Sequence, residues 1–335
     1  MKLFSNLHNL WMRKPTFVNI DVTYSCPLNC ITCTRGGNIT YENELTLEEY
    51  VKIFRALRDW NVHEAAFVGG EPFIKKEIFS ILKSSLDHGI HPKPVSNGFL
   101  INKNTIAELR QIGVKSITLS LNSLNPSIHD LTRGRSGSYQ KIMDSLPLLL
   151  KNGIEVIIMT VLLKQNIKTI PELIEWAKKR GVQIQFQIFV SPEFMFYAYS
   201  NESAFNQGNM DFDKDWLMKS PYWIQNIKDF QRVMDTIIFL KETKKYPINN
   251  PIKQLQYFKI YYQTPNKILN FKCKVGNNNL SIDPYGNVRL CFAMPPVGNV
   301  RKTDLHDIWT STEAEITRRN IAKCTLNCKL MQCNY

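Results

Sequence analysis

The sequence predicts an α/β fold: a parallel sheet curled into a partial (β/α)6, TIM-like barrel, followed by a small cysteine-rich C-terminal domain. Three observations carry this. Strand-like apolar runs alternate with amphipathic helical patterns up to Val190. The alternation stops at Ser191. Five of the eight cysteines then fall after residue 272.

The strand-like runs are 17–23, 64–68, 92–96, 116–121, 155–162 and 183–190, and the helical patterns are about 46–60, 75–88, 103–112, 138–152 and 170–180. Thr46-Leu47-Glu48-Glu49 forms a capping box ahead of the first helix. Gly89, Gly113, Gly153 and Gly181 stand where helices end, as C-terminal caps require. Six strand–helix units joined by right-handed crossovers give a parallel sheet that curls, with the loops after its strands gathered at one end. Residues 1–190 are therefore assigned to the barrel. Residues 191–272, rich in rings such as Phe194, Trp216, Tyr222, Trp223, Tyr261 and Tyr262, form a helical connecting and capping segment. Residues 273–335 form the C-terminal domain.

Cys26, Cys30 and Cys33 lie on the loop after the first strand. A closed iron–sulfur or zinc site takes four protein ligands, so three thiolates on one loop can hold a four-iron cube with one iron open to an exogenous ligand. Cys30 and Cys33 alone would make a thioredoxin-like pair, but a third cysteine precedes them and no helix starts after them. Haem attachment wants histidine where Thr34 stands. A zinc knob needs a fourth ligand, and the next histidine, His63, lies beyond a helix; zinc remains an alternative.

The second strand closes on Gly69-Gly70-Glu71-Pro72. Tandem glycines permit close backbone approach to a ligand, and a glutamate accepts from an ammonium group. C-x3-C-x2-C followed by GGEP resembles the radical S-adenosylmethionine (radical SAM) superfamily. The resemblance implies a [4Fe-4S] cluster on the three cysteines, its open iron chelated by SAM, with the GGEP run holding the SAM amino group. Ser120-Leu-Asn122, His129-Asp130, Arg133-Gly134 and Gly137-Ser138-Tyr139 resemble the family's SxDxxxxxxHDxxRGxxGSF segment, which implies that Arg133 pairs with the SAM carboxylate. Ser96-Asn97-Gly98 resembles the family's TNG, and Thr160 stands where adenine contacts are placed. Two residues depart from the pattern: Asn122 replaces an aspartate, and Thr32 replaces an aromatic residue before the last cysteine.

Cys273 and Cys291 enclose two alternating runs around Pro284-Tyr285-Gly286-Asn287, a β-hairpin with a cysteine at each outer end. This spacing resembles the SPASM and twitch auxiliary-cluster domains, as do Gly298–Arg301 and Leu305–Trp309. Cys324, Cys328 and Cys333 complete five thiolates, which suits one auxiliary [4Fe-4S] cluster with one of the last three to spare. A four-thiolate zinc ribbon is the alternative.

With 335 residues and 44% hydrophobic content, the chain can bury a large core. No run of about eighteen apolar residues and no signal peptide are evident, so a cytoplasmic protein with no membrane span is expected. In that compartment eight cysteines read as metal ligands rather than disulfides. A formal net charge of +13 favours an anionic partner, such as a phosphorylated metabolite, an acidic peptide or an acidic electron carrier, or is a diffuse surface excess. No separate nucleic-acid module is present. The family resemblance implies a flavodoxin- or ferredoxin-type donor, reductive cleavage of SAM to a 5′-deoxyadenosyl radical, and hydrogen abstraction from a small metabolite or peptide. In that reading the auxiliary cluster assists oxidation or substrate binding, and substrate meets the radical near Glu71 and Thr160 beneath the 191–272 segment. The alternative is a noncatalytic iron–sulfur or zinc protein on a degenerate barrel.

Overall fold

Six parallel strands carry the N-terminal half: β1 (Phe17–Thr23), β2 (Glu64–Gly69), β3 (His91–Ser96), β4 (Ser116–Ser120), β5 (Glu155–Val161) and β6 (Gln183–Gln187). The computed structural model describes residues 14–33, 42–190, 218–265, 267, 269, 271–324 and 327–330. Helices α1 (Leu47–Asp59), α2 (Ile78–Asp87), α3 (Lys103–Ile112), α4 (Pro126–Arg133), α5 (Ser138–Lys151) and α6 (Ile170–Arg180) fill the crossovers. The capping box forms: Glu49 N donates to Thr46 Oγ1, and Thr46 N donates to Glu49 Oε2 at 2.8 Å.

Two boundaries differ from the sequence reading by three residues, and one helix is added. The last barrel strand ends at Gln187 rather than Val190, and the second helix starts at Ile78 after a 3-10 turn, Pro72–Ile74. Helix α4 appears within the segment quoted as a motif. Asn125 caps it by accepting from Ser127 N and Ile128 N, Pro126 opens it, and Gly134 at φ +62° closes it. Strand β3 survives Pro92 and Pro94; with their N–H donors missing, its pairing to β4 is confined to Val95 with Thr118 and Ser96 with Leu119.

The strand period of two separates a dry face from a hollow one. Outward residues such as Val18, Ile20, Phe67, Leu119, Ile158 and Phe186 are buried against the helix layer with Tyr50, Phe54 and Leu82. Each side chain of this size, fully buried, contributes about 1.5–3 kcal/mol. The inward residues surround a cavity of about 700 Å³.

The hairpin appears as β7 (Asn279–Ile282) and β8 (Asn287–Arg289), antiparallel, with β9 (Gly298–Asn299) beyond. Its place was not legible beforehand. β7 lies parallel to β1, Phe17 opposite Asn279 and Ile20 opposite Ile282, so the sheet runs β6-β5-β4-β3-β2-β1-β7-β8-β9. At the other edge, Ile184 N donates to Pro247 O and Asn249 N to Ile184 O, both at 2.8 Å. Asn250 mimics a strand there: Phe186 N donates to its Oδ1 at 2.6 Å, and its Nδ2 donates to Phe186 O at 2.8 Å. Asn250 Nδ2 also donates to Gln254 Oε1, and Gln254 Nε2 donates to Leu330 O at 2.8 Å.

Helices α7 (Ile227–Lys244) and α8 (Ile252–Gln263) pack beside this edge, and α9 (Leu305–Thr310) and α10 (Thr312–Lys323) follow the hairpin. Trp223, Tyr261 and Tyr262 are buried ring against ring, with the Tyr261 and Tyr262 hydroxyls donated to the carbonyls of Phe189 and Leu162. These rings are core. Phe194, Trp216 and the rest of 191–217 lie outside the described residues. No helix among the described residues is long and apolar enough to cross a membrane.

Two outcomes follow. Gln254→Leu strands buried polar atoms of Asn250 and Leu330, so it is expected to cost about 1–3 kcal/mol in denaturant unfolding and to raise amide exchange across 327–330. Arg301 clamps Glu49 through Nε at 2.6 Å and Nη2 at 3.1 Å, and this bond holds the Glu49 carboxyl below its usual range. A depressed folded-state value stabilises above the unfolded value and is lost as pH falls through the folded one. Arg301→Ala should therefore cost about 1 kcal/mol at neutral pH, with the difference vanishing in acid unfolding curves.

Candidate active site and metal centres

Cys26 is buried, Cys30 half-buried and Cys33 exposed on the loop after β1. That loop rests on glycines. A Cβ on Gly69, whose φ is +131°, would meet Thr23 O at 2.2 Å; one on Gly70 would meet Ser25 O at 2.2 Å; one on Gly134 would meet Asn29 O at 1.9 Å. Gly70 N donates to Thr23 O at 2.7 Å, Glu71 N to Ser25 O at 2.8 Å and Ile31 N to Thr132 O at 3.2 Å. Arg135 Nη1 donates to Pro27 O. The tandem glycines thus make room first for the protein's own backbone.

Glu71 is fully buried. Its carboxylate accepts from Ser96 Oγ and Asn97 N, both at 2.8 Å, and from Phe73 N at 3.3 Å. Burial pushes its pKa up to about 7, against the pull of these donors and of the Arg133 charge. Asn97 Nδ2 donates to Cys26 Sγ at 3.5 Å, which links the ends of β1, β2 and β3 in one network. Pro72, which opens the 3-10 turn after Glu71, is buried as well.

The three-cysteine loop fits an iron–sulfur cluster. Burial pushes the Cys26 thiol up to about 11, and the nearby charges of Cys30, Glu71 and Cys33 push the same way, so three thiolates here need a cationic centre among them. Among the described residues no three Cys, His, Asp or Glu side chains gather closely enough to hold a single metal ion. Each ligand of a four-iron cube binds a different iron, so its thiolates need not converge on one point. Arg133 Nε is buried without a hydrogen-bond partner among the described residues, an unmet donor suited to a ligand carboxylate.

Asn122 is buried and committed to the scaffold. Its Nδ2 donates to Thr132 Oγ1 at 3.0 Å, and its Oδ1 accepts from Val161 N at 3.2 Å. Thr132 Oγ1 already donates to His129 O, so only a residue with a donor can complete this link, which explains asparagine where aspartate was expected. Thr160 faces the helix layer, its hydroxyl donating to Leu121 O at 2.7 Å; Met159 and Val161 face the cavity instead. Ser120 ends β4 opposite Met159.

Sequence reasoning gave no role to His129 or Asn166. Asn122 N donates to His129 Nδ1 at 3.2 Å, and burial followed by the Arg133 charge pushes that imidazole down to about 3, so it is neutral. Asn166 Nδ2 donates to Asn122 O and Val161 O, both at 2.8 Å. The HD pair in the sequence pointed to the first; nothing local pointed to the second.

In the C-terminal region Cys291 is buried just after β8, and Cys273 is separated from β7 by a helical turn, Val275–Asn278, rather than standing at the strand end. Cys324 ends α10, and Cys328 lies in the turn Asn327–Leu330, anchored by Asn327 Nδ2 donating to Pro265 O and Lys267 O. These four cysteines form no disulfide among the described residues. Cys333 lies outside them.

A partial parallel barrel with a three-cysteine loop at the C-terminal end of its first strand defines a SAM-dependent iron–sulfur enzyme. The radical SAM superfamily profile matches residues 20–177, and the SPASM iron–sulfur cluster-binding domain matches 273–334. The chain belongs to the radical SAM superfamily and carries a SPASM domain; its cofactors are SAM and [4Fe-4S] clusters, and the noncatalytic reading falls away.

An AdoMet-dependent heme synthase from Methanosarcina barkeri is 23% identical over 307 residues, 89% of this chain and 83% of the relative. A PqqA peptide cyclase from Bradyrhizobium diazoefficiens is 23% identical over 162 residues; the match spans 48% of this chain and 43% of that protein's own length. Among solved structures, Streptococcus suis SuiB bound to precursor peptide SuiA aligns with a TM-score of 0.69 at 16% identity, covering 93% of this chain and 68% of that one. AdoMet-bound anSMEcpe aligns at 0.64 and 16% identity, covering 90% and 82%.

Gly134→Ala should fold yet lose the first cluster. With a Cβ driven into Asn29 O, reconstituted iron should fall from about eight to about four per chain, while circular dichroism keeps the wild-type helix signal.

Proposed function

We propose that this enzyme reductively cleaves SAM and abstracts a hydrogen atom from a peptide substrate, with one auxiliary [4Fe-4S] cluster on the C-terminal cysteines assisting oxidation or substrate binding. One observation carries the reading: Thr32, between Cys30 and Cys33, lines the barrel cavity, so the cluster loop and the cavity share a wall. Bound at that loop, the cluster and SAM would supply a 5′-deoxyadenosyl radical on one-electron reduction by a flavodoxin- or ferredoxin-type donor.

The chain's own residues bind and orient. Cys26, Cys30 and Cys33 would hold the cluster. Glu71, kept in place by Ser96 and Asn97, accepts from the SAM ammonium, and Arg133 donates to its carboxylate. Apolar Met159 and Val161 keep water from the radical's path. The peptide assignment draws on the likeness to the peptide cyclase and on the fold shared with SuiB. A haem-related small molecule is the second reading, favoured by the heme synthase relative's match to 89% of this chain.

The test is iron, acid-labile sulfide and 5′-deoxyadenosine after anaerobic reconstitution, for wild type and a Cys26/Cys30/Cys33→Ala triple variant. About eight irons falling to about four, with loss of 5′-deoxyadenosine, is the expected result. About four irons unchanged by the substitution would sink the proposal. Faster 5′-deoxyadenosine release with peptides than with haem precursors favours the first reading, and the reverse favours the second.

A further inference from the structure

The barrel cavity is lined by amides and hydroxyls more than by charge. Among its described lining residues the ionised side chains are Glu64 and Lys93, and they pair with each other at 3.1 Å. Glu64 opens β2, and Lys93 stands in the N-terminal half of β3, whereas the cysteine loop follows the C-terminal end of β1. On the opposite wall, edge strand β6 contributes Gln185, which lies beside Met159 in register. Gln185 is 6% exposed, and its Nε2 has no hydrogen-bond partner among the described residues.

An unmet buried carboxamide donor costs about 1–3 kcal/mol, and native folds keep such groups where something else completes them. The chemistry of what completes this one is constrained. A carboxylate or phosphate entering the cavity would shed its water and find Lys93 already neutralised by Glu64. An amide carbonyl sheds far less and needs only a neutral donor, which Gln185 supplies. The +13 net charge therefore does not describe the cavity.

We propose that Gln185 is a specificity-determining residue that donates from Nε2 to a carbonyl oxygen of the substrate, so the part of the substrate inside the barrel is an uncharged, amide-bearing segment. This rests on the peptide reading above and narrows it: acidic or phosphorylated groups are excluded from the barrel and confined to the outer surface. A site built around a buried donor discriminates strongly against groups that cannot accept from it.

The test uses the anaerobically reconstituted, SAM-loaded holoenzyme and saturation-transfer NMR with two probes. N-acetylalanine N′-methylamide is an uncharged peptide unit, and N-acetylalaninate is its anionic counterpart. The wild type should bind the uncharged probe in preference to the anion. Gln185→Leu removes the amide, and Gln185→Glu keeps its shape but loses the donor; each should weaken the uncharged probe about tenfold. Circular dichroism and iron content establish that the variants are folded, and the near-isosteric Gln185→Glu stands in should the leucine variant fail. Equal binding of the uncharged probe by wild type and a folded variant, preference for the anion, or no wild-type binding of the uncharged probe overturns the assignment. Formation of 5′-deoxyadenosine by the wild type, followed on the same preparation, reports on the radical chemistry separately. If SAM is cleaved and Gln185 is indifferent, only this inference fails.

Discussion

The cysteine loop is held by backbone lying on backbone, and the rest of the site is built outward from that contact. Gly69, Gly70 and Gly134 leave no space for a Cβ because carbonyl oxygens of Thr23, Ser25 and Asn29 occupy it. No side-chain rotation relieves such a contact, since both partners are main chain. The pairing of β1 with β2 shifts register between Asp21 and Thr23, and the ladder continues into the loop through Gly70 N and Glu71 N. Glu71 is thereby fixed by the loop it serves, and Ser96 and Asn97 then hold its carboxylate. The Arg133 helix ends where Gly134 meets Asn29, so the loop is gripped from two sides by elements far apart in sequence.

A partial barrel has two open edges, and an open edge is a liability. The residues that follow the barrel cover both. β7 extends the sheet beyond β1, while the Asn250–Gln254 relay ties the Cys328 turn to β6. Cys291 therefore follows the hairpin beyond β1, and the turn that carries Cys328 is tied to β6. Between them, α10 packs on the Val275 turn, where Gly276 lies 3.0 Å from the Ile321 side chain by its absent Cβ. The C-terminal cysteines are thus part of the barrel's closure rather than an appendage on a flexible tether.

Much of this was legible in the sequence, for reasons that differ by residue. The six strands and five of the helices followed from local periodicity, and the Thr46 box and the hairpin from local turn chemistry. Helix α4 carried its own signals, Asn125-Pro126 at one end and Gly134 at the other, but they sat inside a stretch read as a motif. The pairing of β7 with β1 could not be read, because a parallel partner 262 residues away leaves no local trace. Thr160 shows a subtler limit. The strand was identified correctly, but the side of the sheet each residue faces depends on register, and one position separates Thr160 in the helix layer from Met159 and Val161 in the cavity. Gln185 carried no signal at all: a glutamine in a strand is unremarkable until its neighbours fail to meet its amide.

Unmet buried polar atoms tell where this fold is incomplete without ligands. Among the described residues they fall largely in three places: His129 Nε2 and Arg133 Nε beside the cysteine loop, Gln185 Nε2 and Asn279 Oδ1 on the cavity wall, and Asn278 Oδ1 and Asn327 Oδ1 near the C-terminal cysteines. By contrast, the buried side chains of Ser85, Asn122, Thr160 and Asn166 are all engaged, at 2.7–3.2 Å. Four of the six unmet atoms lie on helices or turns, and the two on the sheet, Gln185 Nε2 and Asn279 Oδ1, belong to residues that line the cavity. The sheet's two faces differ accordingly: the outward one is apolar and covered by helices, whereas the inward one is mixed, with Ile157, Met159 and Val161 beside Gln185 and Gln187.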